Sequence, residues 1–174
     1  MNWEIVAAIG EILGALGVIT SLVYLSIQIR KSDETARAQS LQSILDGHRD
    51  RTLVPMYTHP EFADLVAKGL TDLDLLSDNQ KRQFHSYVTE IVLQMQQVMQ
   101  LHDRGLVPKV DFDAWMSFTG GIIKSPGGAA IWGHMQLTVT PTVRGLINDH
   151  ITDNPEAPSF IETVPLFNYN GESL

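Results

Sequence analysis

The fold is decided near the N-terminus by an uncharged stretch of eighteen residues, Ile12–Ile29, which reads ILGALGVITSLVYLSIQI. Its clearly polar members are Thr20, Ser21, Ser26 and Gln28. A helix rises about 1.5 Å per residue, so this stretch extends for about 27 Å, close to the ~30 Å hydrocarbon core of a bilayer. Together with the residues before it, the stretch predicts a transmembrane helix over residues 3–29. A buried helix of a soluble protein is the alternative.

Charged residues flank this stretch unequally. Glu4 and Glu11 precede the stretch, whereas Arg30, Lys31 and Arg37 follow it. Because membrane proteins keep Lys and Arg on the cytoplasmic side, we expect the N-terminus outside and the larger C-terminal part in the cytoplasm. A cleaved signal peptide carries basic residues before its apolar run. None precedes this run, so we expect the helix to be retained in the membrane.

One face of the predicted helix carries mostly small or polar residues. At about 100° per residue, Trp3 lies at the outer end of that face, followed by Ala7, Gly10, Gly14, Gly17, Ser21, Tyr24 and Gln28. We call the residues from Ala7 to Gln28 the glycine face. Their spacing is a heptad pattern, typical of left-handed helix pairs. Because small residues let helix backbones approach closely in membranes, the pattern predicts an interface with another copy of the chain or with another membrane protein.

Two carboxylates lie near the outer end of this helix. Glu11 is placed where the membrane core begins, and Glu4 is one heptad before it. Ionisable groups within a membrane are costly and are often functional. Three interpretations of Glu11 stay open: a hydrated side chain at headgroup depth, a hydrogen-bonding contact between chains, or part of an acidic ring at the mouth of an ion pathway.

Composition excludes several classes of function. The chain has 174 residues, a net charge of −8 and no cysteine. Nucleic-acid binding depends on basic patches, so we expect no nucleic-acid partner. A cysteine-free chain has no thiol nucleophile, disulfide or Cys-ligated metal, and its six histidines match no metal-binding motif. We therefore assign no catalytic, cofactor-binding or metal-binding residue and expect no cofactor.

The rest of the chain predicts helices and no strand. Ser77 and Gln80 have the spacing of a capping box, which begins a long helix that ends before Gly105. Pro55 is expected to close the helix that follows the membrane. Other helices are expected to begin at Pro60, with Gly69 as its stop, at Asp111, after Ser125 and after Thr140. The predicted fold class is all-α, with a juxtamembrane helix over residues 30–57 and a cytoplasmic helical bundle over residues 58–152.

The last segment, residues 153–174, has a different composition. Pro155, Pro158 and Pro165 prevent a long helix, whereas the apolar content is too high for a solvated tail. We therefore expect an extended arm docked in a groove, and we favour a groove on a neighbouring chain over one on its own bundle. The expected docking residues are Phe160, Ile161, Leu166 and Phe167.

Several short motifs lie within residues 1–150. They are Trp3-Glu4, Ile9-Gly10-Glu11-Ile12, Gly14-Ala15, the run from Tyr24 to Arg30, Gly105-Leu106, Trp115, Ser125-Pro126-Gly127 and Trp132. In this combination the chain resembles a widespread group of bacterial single-pass membrane proteins whose function is unknown. The resemblance implies the same architecture and a location in the bacterial inner membrane. It implies no activity and no site residues.

Three functions from different classes follow from these patterns. The first is a membrane-anchored assembly or scaffold protein that associates through the glycine face, with itself or as an accessory subunit of a larger complex. The second is a small oligomeric channel lined by the first helix. The third is a membrane-tethered enzyme. We favour the first, because the outer half of the glycine face is made of Gly and Ala, which suit contact between helices better than ion conduction.

Overall fold

The structure is a computed structural model that describes residues 2–169, with the side chains of Ile5 and Val6 left out. Those residues contain helices and turns and no β-strand, which confirms the all-α fold class. The helices are α1 (Trp3–His48), α2 (Val54–Thr58), α3 (Pro60–Thr71), α4 (Asp78–Asp103), α5 (Lys109–Lys124), α6 (Pro126–Met135), α7 (Pro141–Asp153) and α8 (Phe160–Thr163).

The chain divides into two compact units, the first ending at Ser40 and the second beginning at Leu41. In the first unit, every residue from Ala7 to Thr35 is exposed. The described residues contain one helical stretch long and apolar enough to span a membrane, and none of its apolar window is buried. The alternative of a buried soluble helix therefore finds no support in the packing of this chain.

The second unit is built around α4. This helix packs against α3, α5 and α6, while α5 also packs against α7 and α8. The apolar side of α4 is fully covered, and its most deeply buried side chains are Phe84, Val88, Ile91, Val92, Met95 and Val98. Ile44, near the end of α1, is 3% exposed and belongs to the same core. The bundle therefore begins before the predicted boundary at residue 58.

Several predicted helix ends are confirmed. Ser77 and Gln80 form the reciprocal capping box at the start of α4, and Gly105 follows its end with a φ of 71°. This left-handed conformation suits glycine, which has no Cβ to clash with the backbone. Ser125 and Thr140 precede α6 and α7 as their N-cap residues.

Three predicted ends are wrong, each for a local reason. Gly69 does not stop α3, which continues to Thr71. A Cβ on Gly69 would lie 2.4 Å from the Phe84 ring, so the glycine permits α3 to pack closely against Phe84 of α4. The helix expected from Asp111 starts at Lys109, after Pro108. Pro55 lies in the first turn of α2 and is preceded by a π-helical turn, Arg49–Leu53.

Candidate helix–helix interface

The glycine face lies on a regular helix whose polar side chains are partly satisfied locally. The hydroxyls of Thr20 and Ser21 donate to the carbonyl oxygens of Leu16 and Gly17, each at 2.8 Å. Such bonds to the preceding turn satisfy a hydroxyl without a second chain. Ser21 therefore adds a small, internally bonded group to the face, which suits an apolar surrounding.

The three glycines of this face have open space beside them. A Cβ added to Gly10, Gly14 or Gly17 would meet no atom within 4 Å outside the local helix backbone. Glycine in a helix interior costs about 1 kcal/mol relative to alanine. Packing within the described chain therefore gives no reason for glycine at these positions. The other members, Ala7, Ser21, Tyr24 and Gln28, are exposed as well.

Glu4 and Glu11 are exposed on α1. Glu11 is adjacent to Gly10 in the chain, so its carboxylate is placed at the border of the glycine face. This position leaves the side chain accessible to water or to a partner helix. Among the described residues, no group of three or more His, Asp and Glu side chains is arranged to hold a metal ion.

The C-terminal arm lies on its own bundle as far as the described residues extend. Phe160 packs edge-on against Phe118 at 5.7 Å and against Phe167 at 5.4 Å. Ile161 is buried, whereas Leu166 is 76% exposed. Phe160, Ile161 and Phe167 therefore pack on this chain's own bundle and not in the neighbour's groove that we favoured, whereas Leu166 is exposed; docking on a neighbouring chain stays a prediction. Residues 170–174 of the predicted arm lie outside the described residues.

The arm is also less extended than expected. Its centre forms the short helix α8 and a 3₁₀ turn, Pro165–Phe167. The Lys124 Nζ donates hydrogen bonds to the carbonyl oxygens of Asn154, Pro155 and Ala157. Prolines at the start of the arm prevent a regular helix, so its backbone carbonyl groups lack helical hydrogen-bond donors. The single Lys124 ammonium satisfies three of these acceptors.

Two histidines near apolar surfaces have structural partners. His48 Nδ1 lies 3.0 Å from Gln94 Oε1, and its ring packs edge-on against Trp115 and Phe118. His102 Nδ1 lies 2.8 Å from the carbonyl oxygen of Val107. These contacts explain both side chains as parts of the bundle.

Sequence reasoning missed a crevice of about 570 Å³ in the second unit. It lies between the π-helical turn, the start of α3 and the exposed side of α4, and its ionisable side chains are Arg51, His59, Glu61 and Glu90. Arg51 and Glu90 are far apart in sequence and belong to no motif. No local sequence pattern indicates their pairing, because it depends on how the π-helical turn packs beside α4.

Comparisons of the chain with protein-family models, with curated proteins and with solved structures find no match. The similarity to the bacterial single-pass membrane proteins therefore stays a prediction that rests on the motifs alone.

Proposed function

We propose that this protein is a membrane-anchored assembly protein that associates through the glycine face of α1 with further copies of itself, or serves as an accessory subunit of a larger membrane complex. Membrane lipid surrounds the rest of the helix. The bacterial inner membrane is the proposed location, in keeping with the resemblance of the N-terminal motifs.

The observation that carries this proposal is the open space beside three exposed glycines. Gly10, Gly14 and Gly17 lie on one side of a helix that is apolar enough to span a membrane. Within the described residues, no atom outside the local helix backbone lies within 4 Å of a Cβ on any of them. In a bilayer, such positions permit close contact between two backbones, which gains van der Waals contact. Contact with a second helix would offset the low helix propensity of these three glycines.

We place the N-terminus outside and the bundle in the cytoplasm. Arg30, Lys31 and Arg37 follow the apolar stretch directly, and the cytoplasmic side of a membrane retains such residues. The acidic bundle would then face the cytoplasm, where it could hold an assembly together or recruit a further protein.

The experiment compares two substitutions that add the same bulk to neighbouring positions. Gly14→Leu fills the glycine face, whereas Ala15→Leu adds a side chain about 100° around the helix. We expect the parent and Ala15→Leu to form the same oligomer, and Gly14→Leu to be largely monomeric. Native mass spectrometry in detergent and crosslinking in native membranes measure the stoichiometry.

Two results would contradict the proposal. The first is an unchanged stoichiometry for Gly14→Leu in both media. The second is a monomeric parent protein that crosslinks to no other protein in native membranes. Helical content measured by circular dichroism controls for loss of α1 itself.

A further inference from the structure

The crevice in the second unit is lined by an ion pair and by apolar side chains. Arg51 Nε donates to Glu90 Oε1 at 2.8 Å. Gln94 Nε2 donates to the same oxygen at 3.3 Å, and Gln94 is itself held by His48. The contacts of the Glu90 carboxylate with the described residues thus involve Oε1, and Glu90 is one of the residues that line the crevice.

Two features of the chain position the Arg51 guanidinium. Arg51 lies within the π-helical turn that precedes Pro55, and π turns widen a helix and are frequent at functional sites. Gly47 lies one turn before, and a Cβ there would be 2.6 Å from Arg51 Nη2. The glycine thus leaves the space that the guanidinium occupies. Within residues 2–169, the hydrogen bonds and ion pair of Arg51 engage only Nε.

We propose that this crevice binds a free α-amino acid with an apolar side chain. The Arg51 Nη1, which lies farther from Gly47 than Nη2 does, would donate a charge-assisted hydrogen bond to the ligand carboxylate. The second oxygen of Glu90 would accept from the ligand ammonium. An ion pair offers a donor and an acceptor a few ångströms apart, which matches the separation of ammonium and carboxylate on one α-carbon.

The remaining lining of the crevice selects against other ligand classes. Pro55, Phe62 and the buried Tyr87 form its apolar wall, which suits an aliphatic or aromatic side chain. Glu61 and Glu90 together oppose a phosphate or another multiply charged anion. The crevice volume is within the range of small-ligand sites in proteins.

Thr52 and Tyr87 bring hydroxyl groups to the residues that line the crevice. Thr52 is 2% exposed, and its Oγ1 has no hydrogen-bond partner among the described residues. A buried hydroxyl without a partner is costly, and because the Thr52 Oγ1 has no contact with solvent, a ligand in the crevice would reach it only after a shift of that side chain. Burial raises the pKa of Tyr87, so its hydroxyl stays protonated and able to donate.

The test uses the full chain in detergent and isothermal titration calorimetry with matched ligands. Leucine, methionine and phenylalanine are the amino-acid probes. The comparison ligands are 4-methylpentanoate, which lacks the ammonium of leucine, and 3-methylbutylamine, which lacks the carboxylate. We expect an amino-acid probe to bind and each truncated analogue to bind at least about tenfold more weakly, because each loses one charge-assisted contact.

Variants of the chain test the same geometry. Arg51→Gln should weaken binding by about tenfold or more. Arg104→Gln, at the exposed C-cap of α4 and outside the crevice lining, should leave it unchanged. Gly47→Ala should weaken binding by displacing the guanidinium without loss of stability, since alanine favours the helix. Gly145→Ala, which has open space beside it, is its control.

Three results would overturn the proposal: no binding of any of the three amino acids, equal binding of either truncated analogue, or undiminished binding by a folded Arg51→Gln variant. None of these results depends on the oligomeric state, so the test is separate from that of the glycine face.

Discussion

At the scale of single residues, two glycines of α6 show how surroundings decide the role of a residue type. A Cβ on Gly127 would lie 1.7 Å from the carbonyl oxygen of Gly69, so α3 and α6 touch through their backbones at this point. A Cβ on Gly133 would meet nothing within 4 Å. The first glycine permits helix packing, whereas the second only lowers helix propensity.

We therefore expect opposite effects of alanine at these two positions. Gly127→Ala should lower the free energy of unfolding by about 3 kcal/mol or more, because backbone atoms must separate. Gly133→Ala should raise it by up to about 1 kcal/mol through helix propensity. Denaturant unfolding of the full chain in detergent, followed by tryptophan fluorescence, measures both. Equal unfolding free energies for the two variants would contradict the packing argument.

At the scale of elements, helix starts could be predicted where the signal is local. Ser77, Ser125 and Thr140 occupy the N-cap positions of α4, α6 and α7. The side chains of Ser77 and Thr140 accept from the backbone N–H three residues on, a contact that the local sequence can predict. The end of α3 could not be predicted, because the contact between Gly69 and Phe84 joins two helices. The expectation that a glycine ends a helix considers only the local sequence and not contacts between helices.

The candidate sites also differ in whether the local sequence is sufficient to predict them. Periodicity alone placed the glycine face on one side of α1, since an exposed helix has a fixed angle per residue. The Arg51–Glu90 pair and the docking of Phe160 on Phe118 depend on how distant segments pack. A sequence pattern identifies an apolar arm without identifying the surface that covers it, so it could not choose between a neighbour's groove and the chain's own bundle, on which the arm packs in this structure.

The cap of α8 predicts a measurable pH dependence. Glu162 accepts hydrogen bonds from the Ser159 hydroxyl at 2.6 Å and from the Ser159 backbone N–H at 2.7 Å. The hydroxyl bond, then the backbone bond, lowers the pKa of the Glu162 carboxyl. A lowered folded-state pKa stabilises the fold above the ordinary Glu pKa of about 4.3, and that stabilisation is lost as the pH falls through the folded value.

Glu162→Gln should therefore be less stable than the parent at pH 7, and the difference should shrink below about pH 4. The box at Ser77 uses the neutral Gln80, so Gln80→Ser should lower stability by the same amount at both pH values. Denaturant unfolding at neutral and acidic pH measures these differences. A Glu162→Gln effect that is independent of pH would show that the carboxylate charge does not stabilise the cap.

At the scale of the whole molecule, the distribution of charge predicts the orientation in a membrane. The first unit has an uncharged stretch with Glu4 and Glu11 on one side and Arg30, Lys31 and Arg37 on the other. The chain contains no cysteine, so a single introduced cysteine reports one position. Asn2 and Leu137 are exposed and lie in the first and second units, which makes them suitable positions.

In intact cells, a membrane-impermeant maleimide should label Asn2→Cys and not Leu137→Cys, and permeabilisation should expose both. Replacing Arg30, Lys31 and Arg37 with glutamine removes the flanking cations that retain the second unit in the cytoplasm. Leu137→Cys on that background should then be labelled in part of the population without permeabilisation. Labelling of Leu137→Cys in intact cells with the three cations present would reverse the orientation. Labelling of neither position before permeabilisation would place both units inside the cell and contradict a single span.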